Sequence, residues 1–412
     1  MIAATGRAPL FLAERVISQI GGLAFTAALA RMHPAETAAE FLAAYALASL
    51  LQAILANACA PLAARIWLKG GDGAALGFIA ALQLIGGLVV GLIAIASSQL
   101  TALILLHAML APAALLSTPL VARDRFKPLL AILISVNILG VGIRLYAVMT
   151  GDLALAALGF CIEPLLGGAL FAAHSGWLRR PPRLDFRLAR RAAPRAGLLA
   201  LSMGCATLFW RSPILLADIF LDPVAVVQIA LALQIVMGLC LPANALCQAL
   251  FGPLTRGDRT ALGIGVWTAF GCGAGAILLM LACAEPLMRL LYGGASDGAA
   301  VLAILFAPVA GFAALWRIEY FAGGLEAGPM DLVKTRLVAI AGQLGLALCL
   351  LQTPDPLWIA ALTPLSMAAS ALIAPFRVRG LRPIAKRAIS EAVDIGVSPA
   401  GRRRAIQLLF GA

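Results

Sequence analysis

Long apolar runs alternate with short polar breaks along almost the whole chain. The runs fall near residues 9–31, 38–62, 74–97, 99–121, 128–149 and 152–174, then near 196–219, 223–250, 261–283, 299–322, 337–352 and 356–376. Crossing a bilayer takes about 20 mostly apolar residues, and in lipid each segment must satisfy its own backbone hydrogen bonds. No run alternates with a period of two, so helices are expected and a barrel is not. The breaks carry turn residues: His33-Pro34, Gly70-Gly71-Asp72-Gly73, Gly151-Asp152, Asp222-Pro223, Gly293-Gly294 and Pro354-Asp355-Pro356. The pattern predicts an all-α membrane protein of about twelve transmembrane helices. No small-residue cleavage site follows the first run, which reads as a retained helix and not a removed signal peptide. Lipidation motifs are absent.

Composition agrees with this pattern. Of 412 residues, 62% are hydrophobic and 12% are charged, against roughly 25% charged in soluble domains. The net charge of +12 is unevenly placed. With the N-terminus inside, the even-numbered junctions carry Arg65 and Lys69, then Arg123, Arg125 and Lys127, then an Arg run from Arg179 to Arg195. Arg256, Arg259, Lys334 and Arg336 follow, and a basic tail runs from Arg377 to Arg404. The odd-numbered junctions carry only Arg31 and Arg289. This is the positive-inside bias expected of a multi-pass membrane protein with both termini cytoplasmic. The basic charge is therefore assigned to topology. Anionic inner-leaflet lipids are its expected partner, and nucleic acid is not. The cysteines lie within or at the edges of the runs without a C-x-x-C, so neither disulfides nor a metal site is expected.

The internal loop from Gly176 to Arg195 divides the chain. The expected organisation is an N-terminal six-helix bundle (1–175), a basic linker (176–195), a C-terminal six-helix bundle (196–376) and a basic tail (377–412). A short repeat supports the division. Gly71-Asp72-Gly73-Ala74-Ala75-Leu76-Gly77 matches Gly257-Asp258-Arg259-Thr260-Ala261-Leu262-Gly263 at five of seven positions, each just before the third helix of its half. Pro61-Leu62-Ala63-Ala64-Arg65 is echoed by Pro253-Leu254-Thr255-Arg256. Six helices per half give both halves one orientation, related by a pseudo-two-fold axis along the membrane normal. Transporters built this way bind substrate between the halves.

Charges inside spans cost about 2.5–3.5 kcal/mol on insertion scales and are functional candidates by default. They are Glu14 and Arg15 in the first helix, Arg144 in the fifth and Glu163 in the sixth. Arg211 and Asp218 lie in the seventh, and Arg317 and Glu319 in the tenth. Ion pairing or snorkelling explains some of them equally well. Deep arginines suit an anionic substrate, because guanidinium grips phosphate through two donors. The carboxylates Glu14, Glu163, Asp218 and Glu319 are candidates for ion coupling or for structural pairing. Pro112, Pro164, Pro213, Pro242, Pro308 and Pro364 interrupt spans, which is tolerated where a helix faces protein or a wet cavity. There is no G-x-x-x-x-G-K-[ST], nucleophile elbow or H-E-x-x-H, and the outer loops are short. Neither a nucleotide-driven motor nor an enzyme is expected, and no cofactor is required.

Local motifs then resemble a known group. The run Glu285-Pro286-Leu287-Met288-Arg289-Leu290-Leu291-Tyr292-Gly293, followed by Ala299-Ala300-Val301-Leu302, resembles the junction between the ninth and tenth helices of polysaccharide flippases. These belong to the multidrug/oligosaccharidyl-lipid/polysaccharide superfamily. Arg211 to Leu221 resembles that family's seventh helix, and Val224 to Ala230 the start of its eighth. Arg31 and the segment from Ala56 to Arg65 resemble parts of its first two helices. Departures are Ala225 and Val227, where the family often has Gly and Tyr, and Pro213, where an acid often follows the Arg. The resemblance implies a V-shaped pair of six-helix bundles that flips an undecaprenyl-diphosphate-linked oligosaccharide from the inner to the outer leaflet. It implies Arg15, Arg144, Arg211 and Arg317 as the grip on diphosphate or acidic sugar, and other polysaccharide-assembly membrane proteins as partners. Two alternatives stay open. One is an ion-coupled drug exporter of the same superfamily, in which the deep carboxylates matter more than the arginines. The other is a membrane polymerase or glycosyltransferase, for which the polar segments lack a carboxylate cluster. In the tail, Ile384, Ala388, Ile389, Ala392 and Val393 form one face of an expected interfacial helix.

Overall fold

The computed structural model describes residues 8–122, 126–177, 182–250, 253–254, 257–293, 298–326 and 329–410. Helix α1 is Ala8–Met32. Eleven further helices among the described residues are long and apolar enough to cross a membrane. They are α2 (Ala35–Asn57), α3 (Leu62–Ile95), α4 (Gln99–Leu120), α5 (Lys127–Thr150), α6 (Leu153–His174) and α7 (Arg187–Phe220). The rest are α8 (Pro223–Cys247), α9 (Arg259–Tyr292), α10 (Ala299–Ala322), α11 (Met330–Gln352) and α12 (Pro356–Arg377). Two shorter tail helices follow, α13 (Arg382–Val397) and α14 (Pro399–Phe410).

The turn residues read from sequence act as helix caps. Asp152, Asp222, Asp258 and Asp355 each accept a backbone N–H at the start of α6, α8, α9 and α12, at 2.9, 2.8, 2.9 and 2.8 Å. Ser98 does the same for α4 at 3.1 Å. Each such cap is worth about 1 kcal/mol. The outer faces are apolar. Leu84, Leu88, Leu92 and Ile95 form an exposed stripe on α3, and Leu344, Leu348 and Leu351 form one on α11. The spacing keeps each stripe on one helical face, and such continuous apolar surface suits a membrane-spanning helix.

The described residues divide into two compact units, 17–218 and 219–410, the second together with residues 8–16. Each repeats one local construction. Gly71 and Gly257 both adopt the left-handed region, with φ of 68° and 72°, so each Gly-Asp repeat marks a turn that an L side chain resists. Six residues further on, Gly77 abuts the carbonyl of Asp185, and Gly263 abuts Glu391 in α13. In the first unit the basic segment before α7 therefore seats on α3 just past its kink at Gly71. Asp185 N–H donates to the Gly73 carbonyl at 3.0 Å, and Ala189 and Ala196 join Ala74 and Phe78 in one core cluster. In the second unit the basic tail seats on the start of α9. Trp267 Nε1 donates to the Ala392 carbonyl at 2.8 Å.

Three sequence expectations need revision. Helix α11 begins seven residues earlier than the apolar run at 337, so Arg336, read as a junction charge, lies inside the span and is 4% exposed. Arg187, Arg190, Arg191 and Arg195 are helical in α7 and do not lie in a loop. The expected tail face splits in two: Ile384, Ala388 and Ala392 are buried, whereas Ile389 and Val393 are exposed. The junction charges Arg123, Arg125, Arg179 and Arg256 lie outside the described residues.

Candidate functional site

The construction of the site begins at Pro164. Proline has no N–H, so the Phe160 carbonyl four residues earlier loses its intrahelical donor. Helix α6 is interrupted there: the N–H groups of Phe160 and Cys161 turn back to Ala157 and Leu158 at 3.2 and 2.9 Å, three residues before each. His107 of α4 takes the orphaned carbonyl, with Nδ1 2.8 Å from the Phe160 oxygen, and its Nε2 lies 3.2 Å from Gln52 Oε1 of α2. His107 is buried. His107→Leu removes the side-chain partner of this carbonyl. It is expected to lower stability by about 1–3 kcal/mol, the cost of an unsatisfied buried polar group, read as a fall in the thermal unfolding midpoint in detergent.

The interruption aims the Phe160 ring into an aromatic cluster. Its centroid lies 4.7 Å from Tyr45, 5.5 Å from Phe25 and 6.1 Å from Phe41. Two arginines from different helices meet this cluster. Arg144 of α5 places Cζ 4.2 Å from the Phe160 ring centre, and Arg211 of α7 places Cζ 5.6 Å from that of Tyr45. Each guanidinium thus covers one ring of a neighbouring pair, an arrangement worth about 0.5–2 kcal/mol per contact. Arg144 also donates from Nε to the Gly140 carbonyl at 3.1 Å. Gly159 leaves room for the Arg144 stem, because a Cβ there would sit 2.6 Å from Arg144 Cγ. Gly159→Ala is therefore expected to displace Arg144 from Phe160 and to weaken anion binding with every charge retained. Titration of a phosphate-headgroup lipid checks this.

Tyr45, Arg144, Glu163 and Arg211 are all half-buried. Glu163 lies within Coulombic range of Arg144. Asp218, at the end of α7, is exposed, and its carboxylate neighbour is Glu40. Glu40 accepts a hydrogen bond from the Ser98 hydroxyl. The first unit thus offers two cations on a tilted pair of rings with a nearby carboxylate, and a separate pair of acids towards the end of α7. Two guanidiniums whose ring-facing sides are covered retain edge N–H donors suited to phosphate oxygens.

The second unit holds a different arrangement. Arg336 Nη1 donates to Glu319 Oε2 at 3.0 Å and Nη2 to the Trp316 carbonyl at 3.1 Å. Its Cζ sits 3.9 Å from the Trp316 ring centre. Both charged side chains are buried, and Glu319 Oε1 has no hydrogen-bond partner among the described residues. Arg317, on the same helix as Glu319, is half-buried and within Coulombic range of Cys240 and Cys247. The side chains of Glu14 and Arg15 lie outside the described residues.

The structure therefore brings Arg144, Arg211 and Glu163 to one place and pairs Glu319 with a residue read as a junction charge. Tyr45, Phe160, His107, Gln52 and Arg336 are not site candidates in the sequence alone. A signal existed for two of them. Tyr45 is one of only 4 tyrosines, and His107 is a rare polar residue within an apolar run.

No family model matches the chain, and no curated protein matches it. Solved structures of similar fold do exist. The chain aligns with the lipid II flippase MurJ in its inward closed conformation at a TM-score of 0.66 and 14% identity, over 97% of this chain and 96% of that one. A variant of the Vibrio cholerae MATE transporter VcmN aligns at 0.59 and 14% identity, over 93% and 100%. An outward-facing multidrug resistance MATE family transporter of the MOP superfamily aligns at 0.53 and 14% identity, over 92% and 96%. At this identity the likeness shows the fold alone, an all-helical fold shared with these structures over nearly the whole chain.

Proposed function

We propose that this chain is a transporter that flips an undecaprenyl-diphosphate-linked oligosaccharide across the bacterial inner membrane by alternating access. On this reading it serves surface-polysaccharide assembly and has both termini in the cytoplasm. The carrying observation is the Arg144–Phe160–Tyr45–Arg211 array. Phosphate is recognised best by guanidinium donors with fixed geometry in a medium of low dielectric. Here the rings fix both guanidiniums within a span, where burying two cations makes sense if an anion joins them. The resemblance of the Glu285–Gly293 motif to polysaccharide flippases and the fold likeness to a lipid flippase point the same way. Arg317 and Arg15 remain candidates for contacts with acidic sugars. With no nucleotide-binding motif, the driving force is a gradient or the membrane potential, and Glu163 beside Arg144 is the candidate coupling group.

A second reading, an exporter of organic cations, draws on the MATE likenesses and on the same Glu163. One experiment separates the two. Purified protein is reconstituted in vesicles carrying a fluorescent undecaprenyl-diphosphate saccharide, and the accessible fraction is followed with a membrane-impermeant quencher. Protein-dependent reorientation is the expected result. Uptake of an organic cation without any reorientation of the lipid would replace the flippase reading with the exporter.

A further inference from the structure

The second unit contains a cavity of about 460 Å³ walled by α9, α10, α12 and the tail helix α13, within the roughly 300–1,000 Å³ range of ligand pockets. Its lining is apolar and includes Phe270, Gly273, Leu372, Phe376, Ile384 and Ile389. Among the lining residues only Glu319 is ionisable, and Arg336 meets its charge. The rim is open: Phe270, Leu372 and Ile389 are 67%, 50% and 47% exposed. Two of these belong to membrane spans, so the opening lies in the membrane-spanning part of this unit.

The tail helix adds charge beside this opening. Arg382, Ala385 and Ile389 share one face by their three- and four-residue spacing, and Lys386 precedes Ile389 by three. Ala385 and Ile389 line the cavity, and Arg382 and Lys386 are exposed. The two acids of the tail are engaged elsewhere. Glu391 accepts from Thr260 at 3.2 Å and lies 3.5 Å from Arg404, and Asp394 pairs with Arg404 and accepts from Ser398 at 2.8 Å. The rim face of α13 is thus basic with no acid on it, directly beside an apolar cavity. Trp267 and Gly263 hold α13 against the first turns of α9, the depth at which headgroups lie.

We propose that this cavity is a binding site for one anionic glycerophospholipid of the surrounding bilayer, its acyl chain in the cavity and its phosphate on Arg382 and Lys386. The site lies wholly within the second unit and does not depend on which substrate the protein transports. Native mass spectrometry tests it on the full-length protein in detergent, with dioleoyl phosphatidylglycerol, dioleoyl phosphatidylethanolamine and undecaprenyl phosphate as probes. The expected result is one retained phosphatidylglycerol, favoured at least about tenfold over phosphatidylethanolamine. Arg382→Gln and Lys386→Gln, both on an exposed face, should each cut that preference about fivefold, the effect of one basic residue at an anionic surface. Ala385→Trp should fill the cavity and abolish retention of either phospholipid, with the unfolding midpoint measured alongside to confirm the fold. Equal retention of the two phospholipids, or an unchanged preference in both charge variants, would overturn the proposal. Displacement of phosphatidylglycerol by equimolar undecaprenyl phosphate would overturn it too, by making the occupant a substrate-type lipid.

Discussion

Replacing Arg211 by Ala is expected to lower flipping of a diphosphate-linked lipid by ten- to a hundred-fold at unchanged protein level. A hydrogen bond to a charged group is worth about 1.5–3 kcal/mol, and Arg211 is one of two guanidiniums on the ring pair. Arg211→Lys should recover only part of the loss, because an ammonium keeps the charge but lacks the planar fork that faces Tyr45 and binds two oxygens together. Tyr45→Leu, which keeps both cations and removes the platform, should fall between the wild type and the Ala variant. Arg144→Ala should resemble Arg211→Ala, and the double variant should lose less than the sum, since both residues serve one anion. Reconstituted vesicles give the transport rate, and cells that depend on the protein give the surface glycan. If Arg211→Ala and Arg144→Ala both transported at the wild-type rate, the array would be a packing feature and the phosphate reading would be lost.

Much of the fold was legible in the sequence because the rule behind it is local. A helix that faces lipid must be apolar for about 20 residues, and the charges at its ends follow topology. The spans near 99–121, 128–149 and 299–322 accordingly match α4, α5 and α10 within two residues. Asp152, Asp222 and Asp355 were read as turn residues, and they are caps. The expectation missed where a charge is neutralised by a distant residue. Arg336 looked like a junction charge because nothing local explains an arginine in an apolar run. Its partner Glu319 is 17 residues away on another helix. The site divides along the same line. Arg144, Arg211 and Glu163 stand out because charge in a span is costly. Tyr45, Phe160 and His107 stay hidden because their roles come from packing between α2, α4 and α6. The break in α6 was half visible. Pro164 predicts an orphaned Phe160 carbonyl, but only the fold shows that His107 takes it. The tail face failed for a related reason. Helical spacing defines which residues align, but the contact with α9 decides that Ile384 turns inward and Ile389 outward.

Removing one partner of the Arg336–Glu319 pair should give the largest stability change of any single substitution in the second unit. Arg336→Met leaves Glu319 as a buried carboxylate beside an empty donor position, and its Oε1 already lacks a hydrogen bond among the described residues. The Trp316 carbonyl loses its donor in the same step. Breaking a buried pair by deleting one member costs about 3–5 kcal/mol, whereas replacing both members by apolar residues of similar size is often neutral or stabilising. Arg336→Met alone should therefore lower the unfolding midpoint steeply, and Arg336→Met with Glu319→Leu should recover most of it. Transport by the double variant then separates two roles for Glu319. A purely structural pair predicts that flipping returns along with stability, since nothing chemical has been lost. A carboxylate that takes part in ion coupling predicts a double variant that folds at the wild-type midpoint and does not transport. A double variant as unstable as Arg336→Met would show that the pair is not what holds α10 to α11, and that the unpartnered Glu319 oxygen is a minor cost in its setting.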